Sequence, residues 1–161
     1  MGDIESVVGN KKFFGSEIRK KGNVDIKRLY KELVPWFSAN HYAFMEKGIS
    51  SKSKPGGKEQ VIEWVSERKV DSYFKFQIEV DFRIWRYKDE KAEIYIRFKG
   101  YLEKDYRNTF KNKGGKFGEF LRNIYEKYVI KDRIDEMAGK VHKDTNELID
   151  EAKRILNLTV R

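Results

Sequence analysis

The chain contains no cysteine. Disulfides, thiolate metal sites and a cysteine nucleophile are therefore excluded. A thiol-free chain suits a reducing compartment, and the expected location is cytoplasmic. Histidine is nearly as scarce. His41 and His142 are the only two, and they lie far apart in sequence with no His-Glu-x-x-His motif around either. There is no run of about 18 apolar residues, so no helix is expected to span a membrane. The first residues lack a basic stretch followed by an apolar one, so no secretory signal is expected. No Gly-x-Ser-x-Gly elbow occurs. Lys113-Gly114-Gly115-Lys116 lacks both the spacing of a phosphate-binding P-loop and the Ser or Thr after its lysine. Glu67-Arg68-Lys69 fits a nuclease-type Glu-x-Lys, a pattern that chance supplies in a chain this rich in both residues. The expectation is a protein with no cofactor, no metal and no catalytic residues.

What is present is charge, aromatic residues and one clear pattern. The 161 residues, 38% of them charged and 39% hydrophobic, fit one domain covering 1–161. Aromatic residues at 14% argue against disorder. From Tyr73 to Glu103 the chain alternates with period two. Phe74, Phe76, Ile78, Val80, Phe82 and Ile84 share one parity, then Ala92, Ile94, Ile96, Phe98 and Leu102 do the same. Charged and polar residues fill the gaps. Strict alternation puts the two sets on opposite faces, so this is a long β-hairpin turning at Lys88-Asp89-Glu90-Lys91, with one apolar and one wet face.

Around the hairpin, residues 1–10 show no period and are expected to fray. Lys12 to Lys20 reads as a short strand. Asp25 to Phe37 reads as a helix, with Ile26, Leu29, Leu33 and Phe37 on one stripe and Pro35 expected to end or kink it. His41–Ile49 and Glu59–Val70 read as strands, separated by a basic loop at 50–58. A second basic, glycine-containing loop covers 105–116. The strongest apolar stripe follows, with Phe117, Phe120, Leu121, Ile124, Tyr125, Tyr128 and Val129. A helical pattern continues to Leu156, with Gly139 as a possible break. Residues 132–158 are expected either to pack separately or to protrude. Strands in a run followed by helices argue an α+β fold. The expected architecture is a twisted antiparallel sheet of about four to five strands. One face would be packed by an N-terminal helix and a long C-terminal helical region.

The net charge is +9 and unevenly placed. Residues 61–103 balance 9 basic against 9 acidic side chains, whereas residues 104–131 carry 8 basic and 3 acidic. Three groups of candidate anion-binding residues follow. Arg107, Lys111, Lys113 and Lys116 surround a loop that opens a helix, where free N–H groups favour an anion. Arg83, Tyr95, Arg97, Lys99 and Tyr101 interleave cations and aromatics on the wet hairpin face, as single-strand binders do. Lys52, Lys54 and Lys58 form the third group. In a simple meander the 50–58 and 105–116 loops lie at opposite ends of the sheet, so they cannot share one small ligand.

The functional expectation is a non-catalytic binding module for an anionic macromolecule, with nucleic acid ahead of an anionic membrane surface. A different class is also open. A curved sheet wrapped on a long C-terminal helix is similar in outline to helix-grip proteins, which hold apolar small molecules between sheet and helix. Phe74, Phe76, Phe82 and Phe98 would then line a cavity against Phe117, Phe120 and Tyr128. A protein–protein adaptor, using residues 132–158 as an exposed amphipathic helix, is the third reading.

Overall fold

The structure is a computed structural model that describes residues 4–8, 11–22, 24–87 and 92–158. The hairpin turn read at Lys88–Lys91 lies outside the described residues. The chain is α+β, with an antiparallel sheet covered on one face by helices. Strands β1 (Ile4–Val8), β2 (Lys11–Gly22), β3 (Ala43–Lys54), β4 (Gly57–Lys69), β5 (Phe74–Tyr87) and β6 (Ala92–Lys104) lie in the order β1-β2-β6-β5-β4-β3, each pair antiparallel. Helix α1 (Ile26–Ala39) connects β2 to the far edge strand β3. After β6 come a short 3-10 turn (Lys111–Lys113), helix α2 (Gly115–Ile124), a π-turn (Tyr125–Val129) and helix α3 (Lys131–Ile155).

The hairpin pairs as its alternation requires. Phe82 sits opposite Ile96, Val80 opposite Phe98 and Phe76 opposite Leu102. The apolar even residues of β5 and β6 are buried, and so are Ile62 and Trp64 of β4 and Ile18 of β2. Two helices cover them. Leu29, Leu33 and Phe37 form the buried stripe of α1. Met137, Val141, Thr145, Leu148, Ala152 and Ile155 form that of α3, three or four residues apart as one helical face demands. The interior is filled by aromatic contacts. The ring of Trp64 lies 4.5 Å from that of Phe82 and 5.2 Å from that of Phe44, both edge-on. Trp64 Nε1 and the Tyr30 hydroxyl both donate to Glu46 Oε2. Burial pushes the Tyr30 hydroxyl up to about 12, with the Glu46 carboxylate adding to it.

Several boundaries differ from expectation for physical reasons. Residues 4–8, without any period, pair with β2 and add a sixth strand. Helix α1 runs past Pro35 to Ala39. Asn40 closes it, its backbone N–H and its side-chain amide both donating to carbonyls of the last turn. The 50–58 segment is not a loop. Ser50 to Lys54 pair with Gly57 to Val61, leaving only Pro55-Gly56 to turn. Ladder hydrogen bonds need no apolar side chains, and lysines on an edge strand oppose unwanted pairing. Gly139 does not break α3. The helical region is interrupted instead at Ile130, whose backbone leaves the helical region (φ −122, ψ 17) after the π-turn.

The largest correction concerns α2. Its apolar stripe was expected on the even face of the hairpin. That face is already occupied by α1 and α3, and Phe117, Phe120, Tyr128 and Val129 are exposed to solvent instead.

Candidate functional site

The structure separates the candidate residues into the three groups read from the sequence. Lys104, at the end of β6, pairs with Phe74, which puts the 105–116 segment at the turn between β4 and β5. Gly57 pairs with Tyr87, which puts Lys52, Lys54 and Lys58 at the other end. With 14 residues in β5, the ends are roughly 46 Å apart at about 3.3 Å per residue.

At the β3–β4 end, Lys54 is engaged. It pairs with Glu59 at 2.9 Å and lies over the Trp85 ring at 4.5 Å. Lys52 and Lys58 are exposed on the hairpin tip.

The wet face carries a shallow basin of about 440 Å³ over Tyr95 and Trp85. Its rim mixes Arg19, Arg83 and Arg97 with Glu63, Asp81 and Glu93. Arg97 pairs with Glu17 at 3.2 Å, and Arg19 stacks on the Tyr95 ring at 4.9 Å. Tyr101 donates to Glu79, and Lys99 faces Glu79 across the strand pair. Glu63 and Asp81 stand directly opposite each other. Burial pushes the Asp81 carboxyl up, and the neighbouring Glu63 and Glu79 push it further. A phosphate here would meet those carboxylates beside every arginine. The sheet face is thus a charge checkerboard that satisfies itself.

The 105–131 region is built differently. Asp105 is buried with φ 52, and its carboxylate accepts from the Thr109 and Phe110 amides at 2.7 and 3.2 Å, which curls the loop. Phe110, Tyr73 and Tyr125 pack ring to ring at 5.4 to 6.4 Å. Gly118 lets α2 cross the loop, since a Cβ there would lie 2.0 Å from the Phe110 carbonyl oxygen. Glu126 is turned inward. It accepts from the Tyr73 hydroxyl at 2.6 Å and pairs with Lys104 at 3.0 Å. These contacts fasten α2 and the π-turn after it by one side.

Two of the three acids of the region, Asp105 and Glu126, are thereby spent on structure. Arg107, Lys113, Lys116, Lys127 and Lys131 are exposed, against the exposed Glu119 alone. Lys113 and Lys116 make no ion pair with any described residue. Arg107 lies against the Tyr106 ring and Lys127 against the Tyr128 ring. Lys111 stands in the 3-10 turn. The chain places this excess of cations beside the uncovered aromatic stripe of α2. The combination is not legible in the sequence, because an apolar stripe at helical spacing reads equally as a core face.

Of the residues named for the other two readings, Phe74, Phe76, Phe82 and Phe98 are at most 2% exposed and belong to one buried cluster with residues of α3, while Phe117, Phe120 and Tyr128 are exposed to solvent. A second depression of about 520 Å³ lies between the start of α1 and the end of α3, edged by Lys20, Arg28 and Arg86, and does not reach those phenylalanines. Residues 132–158 direct their apolar stripe at the sheet. Among the described residues no three His, Asp or Glu side chains converge as a metal site would need, and no helix is long and apolar enough to cross a membrane. No family profile and no curated protein sequence matches this chain.

Proposed function

We propose that the protein is a non-catalytic binding module for an anionic macromolecule, engaged through the surface around α2 and the loop before it. One observation carries this reading. Five exposed cations, Arg107, Lys113, Lys116, Lys127 and Lys131, lie in and around α2, while two of the three acids between residues 104 and 131, Asp105 and Glu126, are engaged within the fold and only Glu119 is exposed. The wet sheet face, with its alternating signs, is a weaker candidate.

The test is binding of labelled oligonucleotides, by fluorescence anisotropy, and of anionic vesicles, by co-sedimentation, each at low and moderate salt. If all five cations displaced counterions from duplex DNA, affinity would fall about 500-fold between about 50 and about 200 mM salt, at a slope of roughly 0.9 per cation. Lys113→Glu with Lys116→Glu should weaken binding strongly, and Arg83→Glu on the sheet face should not. Failure to bind either polymer at the lower salt overturns the proposal.

A further inference from the structure

We infer that the exposed face of α2 is a lipid-insertion surface that docks the protein on an anionic bilayer. This rests on the anionic-macromolecule reading above and names the partner. Phe117, Phe120, Ile124 and Tyr128 are spaced three and four residues apart and form one stripe, with exposures of 63%, 58%, 40% and 73%. The adjoining flank is anchored against the Phe110 loop through Gly118 of the helix and Tyr125 of the π-turn that follows it. The helix therefore cannot roll its apolar face inward without breaking the aromatic cluster with Tyr73.

An amphipathic helix with large apolar side chains on one face and cations at its borders is how proteins lie in a membrane interface. Phe117, Phe120 and Ile124 would enter the acyl boundary, and Tyr128 would keep its hydroxyl among the headgroups. Lys113, Lys116 and Lys127 would meet lipid phosphates. Charge decides against a second copy of the chain, because self-docking through this stripe would bring the same lysines together with only Glu119 to offset them. The exposed aliphatic Ile124 and Val129 favour a bilayer over nucleic acid, because beside the rings of Phe117, Phe120 and Tyr128 they offer a base neither a stacking surface nor a hydrogen bond.

The absence of cysteine allows a single label. Phe120→Cys carrying an environment-sensitive fluorophore reports depth, and Lys143→Cys on α3, exposed on another element, is the control. Vesicles of phosphatidylcholine alone, and of equal parts phosphatidylcholine and phosphatidylglycerol, are the probes. The expected result is a blue shift and intensity rise at position 120 with the anionic vesicles, little with the neutral ones, and none at position 143. Phe117→Ser with Phe120→Ser, otherwise unlabelled, should lower partitioning by about tenfold or more, since burying one phenylalanine is worth about that much. Both residues are exposed, so the variant folds, which circular dichroism verifies. Adsorption to anionic vesicles with an unshifted label and no loss in the serine variant overturns insertion and leaves the anionic-surface reading standing. So does binding to oligonucleotides alone. A concentration-dependent dimer abolished by the serine variant overturns the lipid assignment in favour of a second copy. No binding to vesicles or oligonucleotides overturns both readings.

Discussion

Replacing Gly100 by alanine should destabilise the protein, although the usual effect of filling a strand glycine is the reverse. Gly100 lies in β6 between Phe98 and Leu102, on the buried face, where α3 crosses. A Cβ at this position would sit 2.1 Å from Thr145 Oγ1 and 3.2 Å from Thr145 Cβ. Thr145 has little freedom to move aside. It is buried, β-branched in a helix, and its hydroxyl donates to the Val141 carbonyl at 2.7 Å. Either α3 lifts from the sheet or Thr145 turns and loses that bond. Overpacking of this kind costs about 1–3 kcal/mol, and the lost hydrogen bond adds about 1 kcal/mol. The expected loss of about 2–4 kcal/mol corresponds to a fall in Tm of roughly 5–15 °C for a chain of this size. Without the clash, the substitution would raise stability by about 0.5–1 kcal/mol, so the sign is itself diagnostic. Urea denaturation followed by circular dichroism and tryptophan fluorescence measures the loss. Thr145→Ala removes the offending oxygen, and in that background Gly100→Ala should cost at least about 1 kcal/mol less, because residues in contact do not act additively. An unchanged or raised stability for Gly100→Ala alone, or an equal cost in both backgrounds, would refute the argument.

Asp71 ties the β4–β5 turn to α3. Its carboxylate accepts from the Tyr73 and Phe74 amides, both at 2.8 Å, and from Arg133 at 2.9 Å. Burial raises the carboxyl, but these donors outweigh it and hold it below its ordinary 3.8. The stabilisation is therefore present above about pH 4 and is lost as pH falls through the folded value. Asp71→Asn should cost about 1–2 kcal/mol at neutral pH and flatten the decline in urea midpoint on acidification. A decline as steep as that of the parent would count against the assignment. Leu148→Ala, in the core, should cost about 2–5 kcal/mol, whereas Phe120→Ser should stay within about 0.5 kcal/mol. Comparable losses in thermal melts would show that α2 packs where the structure leaves it free.

The strand alternation and the charge distribution were legible in the chain itself. Each is a local property: period two assigns faces, and short connections keep neighbouring strands antiparallel. The placement of the two basic segments at opposite ends of the sheet follows from the same logic. Pairing partners without a pattern were not legible, since backbone hydrogen bonds recruit Ile4–Val8 and Ser50–Lys54 whatever their side chains. Nor was the meaning of the missing apolar residue at Gly100, which only the approach of Thr145 explains.

The sequence alone determined the hairpin, its buried face and the position of the excess charge, because these depend on residue order and on spacings of two or three to four residues. Only the tertiary structure decided which of two amphipathic stripes enters the core. Residues 117–128 carry the stronger apolar stripe, but the buried face of the sheet is covered by α1 beside β3 and by α3 across β2, β6 and β5. Gly100 and the β6–α3 crossing admit α3. The turn at Ile130 then leaves α2 beyond the end of the sheet, its phenylalanines facing water beside Lys113 and Lys116.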